Sequence, residues 1–142
     1  MRTRYKNAFR NKVLRRIKSL RGEVVLWADL RNLGSSRQVS RALKECVEDG
    51  TLARIGRGIY AKTKKSQYID KPVIRGSFEA VSIEALNRLN IRWELGQLIK
   101  DYNEGRSQQV PAQLQIRLKD RFRRTLASGK NRILFEGNIN AK

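Results

Sequence analysis

The sequence predicts an α+β fold in two parts, and three patterns predict it. Apolar residues recur at helical spacing in 5–20 and again in 36–49. Two short apolar runs flank a Gly-x-Gly turn between 51 and 61, the mark of a β-hairpin. Residues 113–119 alternate Leu114, Ile116 and Leu118 with Gln115, Arg117 and Lys119, the period of a half-buried strand.

In the helix over 5–20, Phe9, Val13, Ile17 and Leu20 fall on one stripe with Leu14 beside it, and Gly22 ends it. Lys12, Arg15 and Lys18 lie round the other side, with Arg16 near them. Trp27-Ala28-Asp29-Leu30 reads as a short helix ending before Gly34. Ser35 opens a capping box with Gln38 three residues on. The helix over 36–49 is the most regular element. Val39, Ala42, Leu43, Cys46 and Val47 line one side, and Gly50 sits where a left-handed cap is needed. Arg37, Arg41 and Lys44 cluster on the opposite side. Cys46 therefore reads as a small buried hydrophobe rather than a reactive thiol.

Thr51–Ile55 and Ile59–Ala61 make the hairpin, with Arg57 at its Gly56-Arg57-Gly58 tip. No Gly-Lys-Ser/Thr follows, so the tip is not an NTPase phosphate loop. Residues 62–76, with Lys62, Lys64, Lys65, Lys71 and Pro72, read as a basic linker or extended crossing segment. Helices are expected at about 78–89, on Val81, Ala85, Leu86 and Leu89, and near 93–103. In the second, Trp93 and Tyr102 read as core aromatics at helical spacing. After the strand at 113–119, two more are expected at 121–127 and 132–136 around Ser128-Gly129-Lys130-Asn131, with a helix over 121–127 as the alternative. The expected division is 1–61, linker 62–76, and 77–142 as a small α+β domain with two helices and an antiparallel sheet.

Charge speaks about partners. Of 142 residues, 32 are Lys or Arg and 13 are Asp or Glu, for a net charge of +19 and a pI near 11.1. Such a balance favours a polyanion, either nucleic acid or an acidic membrane surface. The excess is uneven. Residues 1–21 hold nine cations and no acid, whereas 22–60 are nearly balanced with six and five. Residues 61–76 hold five and one, and 77–142 hold twelve and seven.

Composition also removes chemistry. With no His and a single Cys there is no His-based triad, His-metal site, disulfide framework or multi-cysteine zinc site. Asp29, Glu45, Glu48, Asp49 and Asp101 form no recognisable carboxylate cluster, so neither an enzyme nor a metal or other cofactor is expected. No run approaches the length of a membrane span, and the N-terminus lacks the apolar core of a signal peptide. A cytoplasmic protein is the expectation.

A short helix, a glycine turn, a strong second helix and a glycine-tipped hairpin form a winged helix-turn-helix pattern. The helix over 36–49 has one face to bury and one to place in a major groove. The candidate base contacts are Ser36, Arg37, Gln38, Ser40 and Arg41: Arg matches guanine O6/N7 and Gln matches adenine N6/N7. The candidate backbone or wing contacts are Lys44, Arg54 and Arg57, then Lys12, Arg15, Arg16 and Lys18, then Lys62, Lys64 and Lys65. The bland alternative is an ordinary surface helix with solvated arginines. A competing class is a basic RNA-binding or ribosome-associated protein. Arg121-Phe122-Arg123-Arg124 would support it if Phe122 stacks on a base rather than packing in the core.

Three stretches carry a family resemblance: Val24-Val25-Leu26-Trp27-Ala28-Asp29-Leu30, Gly34-Ser35-Ser36-Arg37-Gln38-Val39-Ser40-Arg41-Ala42-Leu43, and Gly50 to Tyr60 ending in Arg57-Gly58-Ile59-Tyr60. They resemble the winged-helix domain of AbiEi-type antitoxins. Ser107-Gln108-Gln109-Val110-Pro111 is similar to the Ser-Thr-Gln-Val-Pro signature of that family's C-terminal domain, with Gln108 in the place of Thr. The resemblance implies a bacterial, nucleoid-associated regulator whose 36–49 helix and 52–61 wing bind inverted repeats in its own promoter and repress it. It also implies a nucleotidyltransferase-like toxin opposed in a type IV toxin–antitoxin system. Two-fold operators would imply a homodimer, although no coiled-coil heptads announce one.

Overall fold

The apolar stripes decide where the chain turns back on itself. In the computed structural model, which describes residues 2–96, 103–105 and 115–136 (side chains for 8–96, 103–105 and 115–135), the architecture is α+β. Contacts divide the chain into two units, 1–54 with 58–76, and 77–142 with 55–57.

The first unit begins with α1 (Arg2–Ser19), which lays Val13 and Ile17 one turn apart in the core. β1 (Val24–Leu26) follows, all three residues buried. Trp27–Leu33 is a 3₁₀ helix, longer and tighter than the short helix expected at 27–30. Its first turn is closed by Asp29 Oδ2, which accepts from Leu26 N at 2.8 Å. The turn into α2 (Ser36–Glu48) passes through Gly34 in extended backbone. Glycine is required there by space rather than by φ. A β-carbon would lie 2.7 Å from both Phe9 Cε2 and Gln38 Oε1.

The capping box forms as expected: Gln38 N donates to Ser35 Oγ (3.2 Å) and Ser35 N donates to Gln38 Oε1 (2.9 Å). At the other end Asp49 N donates to Glu45 O (2.9 Å), and Gly50 takes φ +84°. Val39, Leu43 and Cys46 are buried beside Leu30, Val25 and Leu52. At about 1.5–3 kcal/mol for each fully buried aliphatic side chain, this stripe is the main anchor of α2.

The sheet holds β1, β2 (Leu52–Gly56), β3 (Ile59–Lys65) and β4 (Pro72–Ile74). Its order is β1-β3-β2, with β4 also on β3. β1 pairs antiparallel with the start of β3 (Val24 opposite Ala61), and β4 pairs antiparallel with its end (Thr63 opposite Ile74). The stretch 62–76 is thus not a free linker. Thr63, Val73 and Ile74 suit a pleated surface, and tertiary pairing outweighs the surrounding lysines.

In the second unit α3 (Phe78–Arg88) starts at Ser77, whose Oγ accepts from Ala80 N (3.1 Å), and buries Phe78, Val81, Ala85 and Leu86. β5 (Trp93–Leu95), β6 (Gln115–Leu118) and β9 (Leu134–Glu136) form a sheet, while β7 (Ala127–Ser128) and β8 (Asn131–Arg132) form a separate pair.

Three expectations need correction. Trp93–Leu95 is a strand, not the start of a helix, because it pairs with β6 (Trp93 opposite Leu118). Arg92, whose N and side chain bond Asp120, pins that pairing. The rest of the expected helix, 97–102, lies outside the described residues. The sheet is mixed rather than antiparallel, since β9 runs parallel to β6. Residues 121–126 are neither strand nor helix. Phe122 and Leu126 turn inward, to 5% and 0% exposure, without regular backbone.

Two outcomes follow. Gly50→Ala should lose about 1–2 kcal/mol in denaturant unfolding, from the left-handed backbone, with a further clash, since the new β-carbon would lie 2.6 Å from Pro72 Cγ. Burial, and then the Asp49 carboxylate, pushes the Cys46 thiol up to about 11. Cys46 should therefore resist a thiol reagent at neutral pH until the protein is unfolded. Rapid native-state labelling would show that the α2 stripe opens.

Candidate nucleic-acid interface

α2 is held at both ends and along one side, so its outward side is rigidly presented. Ser36, Arg37, Ser40, Arg41 and Lys44 are all exposed there. Arg37, Arg41 and Lys44 follow one another by a turn along that side. Among the described residues they have no hydrogen-bond or ion-pair partner. Like charges at this spacing repel by about 0.2–0.5 kcal/mol per pair, a cost that an anion seated on the stripe would relieve.

Ser40 Oγ accepts from Trp27 Nε1 at 3.2 Å, which leaves the hydroxyl proton for another acceptor. The Arg31 guanidinium lies 5.8 Å from the Trp27 ring centroid. Arg31, a cation that sequence reasoning missed, thereby lies over the ring whose N–H bonds α2. No sequence signal places it there, because the Trp27 to Ser40 hydrogen bond joins separate elements.

Several candidates are not free to meet a ligand. Gln38 is exposed, but its Oε1 is the acceptor that caps α2. Bidentate pairing with adenine needs both amide atoms, so Gln38 is a cap rather than an open reader. Arg16 turns inward and donates from Nη1 to Asp29 O (2.8 Å) and Asn32 Oδ1 (3.2 Å), tying α1 to the 3₁₀ helix. Lys62 is buried at 8% exposure, and its Nζ donates to Leu20 O at 2.5 Å. It satisfies a carbonyl just past α1.

The remaining cations stay outside. Lys12, Arg15 and Lys18 share the exposed side of α1, and Lys64 and Lys65 are exposed on β3. Arg54 is exposed on β2 and Arg57 at the hairpin turn. Arg57 groups with the second unit.

The acids near α2 are structural. Asp29 closes the 3₁₀ helix. Asp49 accepts from Thr51 N (2.9 Å) and pairs with Arg10 of α1. Burial pushes the Asp49 carboxyl up, but the Thr51 hydrogen bonds and the Arg10 guanidinium outweigh it and hold the group below its usual range. Among the described residues no three His, Cys, Asp or Glu side chains gather as a metal site. No described helix is long and apolar enough to cross a membrane.

In the second unit Phe122 packs edge-on against Phe135, with centroids 5.8 Å apart, and Arg124 sits over its ring at 5.9 Å. The Phe122 ring is not open to a base, which removes the specific support for the RNA reading. Arg121, Arg123 and Arg124 are themselves exposed. The Ser107–Pro111 signature lies outside the described residues.

The chain belongs to a family of unknown function, DUF6088, which matches residues 12–141. No curated protein and no solved structure matched the chain.

The split between anchoring and outward side chains is measurable. Arg16→Ala and Gln38→Ala should each cost about 1 kcal/mol in unfolding, since each leaves a backbone group without its partner. Lys12→Ala and Arg15→Ala should leave the unfolding midpoint nearly unchanged. Equal effects from all four would mean that the inward and outward assignments on α1 and α2 are wrong.

Proposed function

We propose that this chain is a sequence-specific double-stranded DNA-binding transcriptional regulator with an N-terminal winged helix-turn-helix. One observation carries the reading: α2, capped at both ends and buried along one side, presents Arg37 and Arg41 outward without a partner among the described residues. The element order supports it. A helix, a strand, a short helix, a turn, α2 and an antiparallel hairpin are the parts that such a domain needs.

In this reading α2 enters the major groove. Arg37 and Arg41 read base edges, and Ser36 and Ser40 donate to nearby acceptors. Lys44, Lys12, Arg15 and Lys18 neutralise phosphates, with Arg54 and Arg57 as further backbone contacts. On the resemblance of 24–60 to AbiEi-type antitoxins, the chain represses its own promoter as a dimer and opposes a nucleotidyltransferase-like toxin.

The test compares binding to the chain's own upstream duplex and to random duplex of equal length, at two salt concentrations. The upstream duplex should keep a large preference at the higher salt. Arg37→Ala or Arg41→Ala should each cost about 1–3 kcal/mol and relax preference at one base pair. Neutralising Lys12, Arg15 and Lys18 should weaken both duplexes together and flatten the salt dependence. Equal, steeply salt-sensitive binding to both duplexes would leave only non-specific charge, and would favour the RNA-binding alternative.

A further inference from the structure

Beyond α2, the first unit has a second outward feature. β3 and β4 form a hairpin whose loop, 66–71, carries Tyr68 at 93% exposure and Ile69 at 54%. Large apolar side chains are normally exposed singly; here two adjacent ones stand at a tip. Ser66 Oγ holds the tip in shape by accepting from Tyr68 N (3.1 Å) and Ile69 N (3.2 Å). Lys64 and Lys65 on the first arm and Lys71 at the far end of the loop are all exposed. The one acid in the loop is the exposed Asp70.

This hairpin is fixed to the end of α2. Thr63 Oγ1 donates to Gly50 O (2.5 Å) or to Thr51 O (3.0 Å), and Pro72 leaves no room for a side chain at Gly50. A 13-residue helix spans about 20 Å. The minor groove beside an occupied major groove lies half a helical turn away, about 17 Å. The backbones of the arms alone are about 4.8 Å apart, so only the side chains at the tip can enter a groove about 6 Å wide.

The geometry points to the β3–β4 hairpin tip as a minor-groove wedge: Tyr68 and Ile69 enter the groove while Lys64, Lys65 and Lys71 contact the phosphates on its two walls. This rests on the DNA-binding reading of α2 and adds a second contact element to it. Apolar side chains that enter the minor groove slide between base steps and part them. Duplex DNA fits better than a membrane surface, because two apolar residues offer little area to an acyl interior. Asp70 opposes the phosphates, so its removal should tighten binding.

The experiment measures binding of the full chain to an A·T-rich duplex by fluorescence anisotropy, with and without netropsin, which occupies the minor groove. Wild type should bind the duplex and lose affinity when netropsin is present. Tyr68→Ala with Ile69→Ala should bind about tenfold more weakly, with an unchanged salt slope and no response to netropsin. Both side chains are exposed, so the unfolding midpoint should stay at the wild-type value. Lys64→Gln with Lys65→Gln and Lys71→Gln should flatten the salt slope, and Asp70→Asn should tighten binding.

If wild type binds the duplex but the Tyr68/Ile69 variant binds equally well and stays netropsin-sensitive, the wedge is overturned and the α2 reading stands. If wild type does not bind duplex at all, both fall. If the variant loses binding to phosphatidylserine vesicles while keeping its DNA affinity, the tip is a membrane contact and the wedge is overturned.

Discussion

Val39, Leu43 and Cys46 lie on one stripe of α2, none more than 1% exposed, and the first unit depends on keeping that stripe dry. α1 contributes Val13 and Ile17 to it, the 3₁₀ helix Leu30, and the sheet Val25 and Leu52. The helix ends are then fixed by short-range chemistry: Ser35 and Gln38 at one, Gly50 and Asp49 at the other. A helix held this way has little freedom to roll. Its charged side is therefore presented at a defined angle.

The basic residues divide by what surrounds them. Arg10, Arg16 and Lys62 are spent on fastening α1 to its neighbours, through Asp49, the Asp29 carbonyl and the Leu20 carbonyl. Arg37, Arg41, Lys44, Lys12, Arg15 and Lys18 remain outside. The dense N-terminal charge is therefore not a detachable tail. α1 packs on the core through Val13 and Ile17, and among its described side chains those on the solvent side are available to a polyanion.

A net charge of +19 raises the affinity for any polyanion, and that term is salt-sensitive and blind to sequence. In the proposed DNA-binding reading, discrimination comes from few residues in fixed places on α2. The second unit is organised differently. Among its described residues Phe122 packs against Phe135 and carries Arg124 over its ring, so that ring presents no open face to a base.

Periodicity in the sequence was enough for the helices at 36–49 and 78–89, both caps of α2, the buried Cys46 and the glycine-tipped hairpin, because each depends on neighbours within about one turn. It was not enough where distant segments pair. Trp93–Leu95 has helical spacing but is recruited as a strand by β6, and 62–76 has a linker's composition but supplies the end of β3 and the β4 that pairs with it. The same limit applies to the site. That Arg37 and Arg41 face outward was legible from the apolar stripe opposite them. That Arg16 and Lys62 are engaged depended on partners in other elements, whereas the engagement of Gln38 was already legible in the capping box. Local spacing sets which face of a helix is polar; only the assembled unit decides which of those polar groups already has a partner.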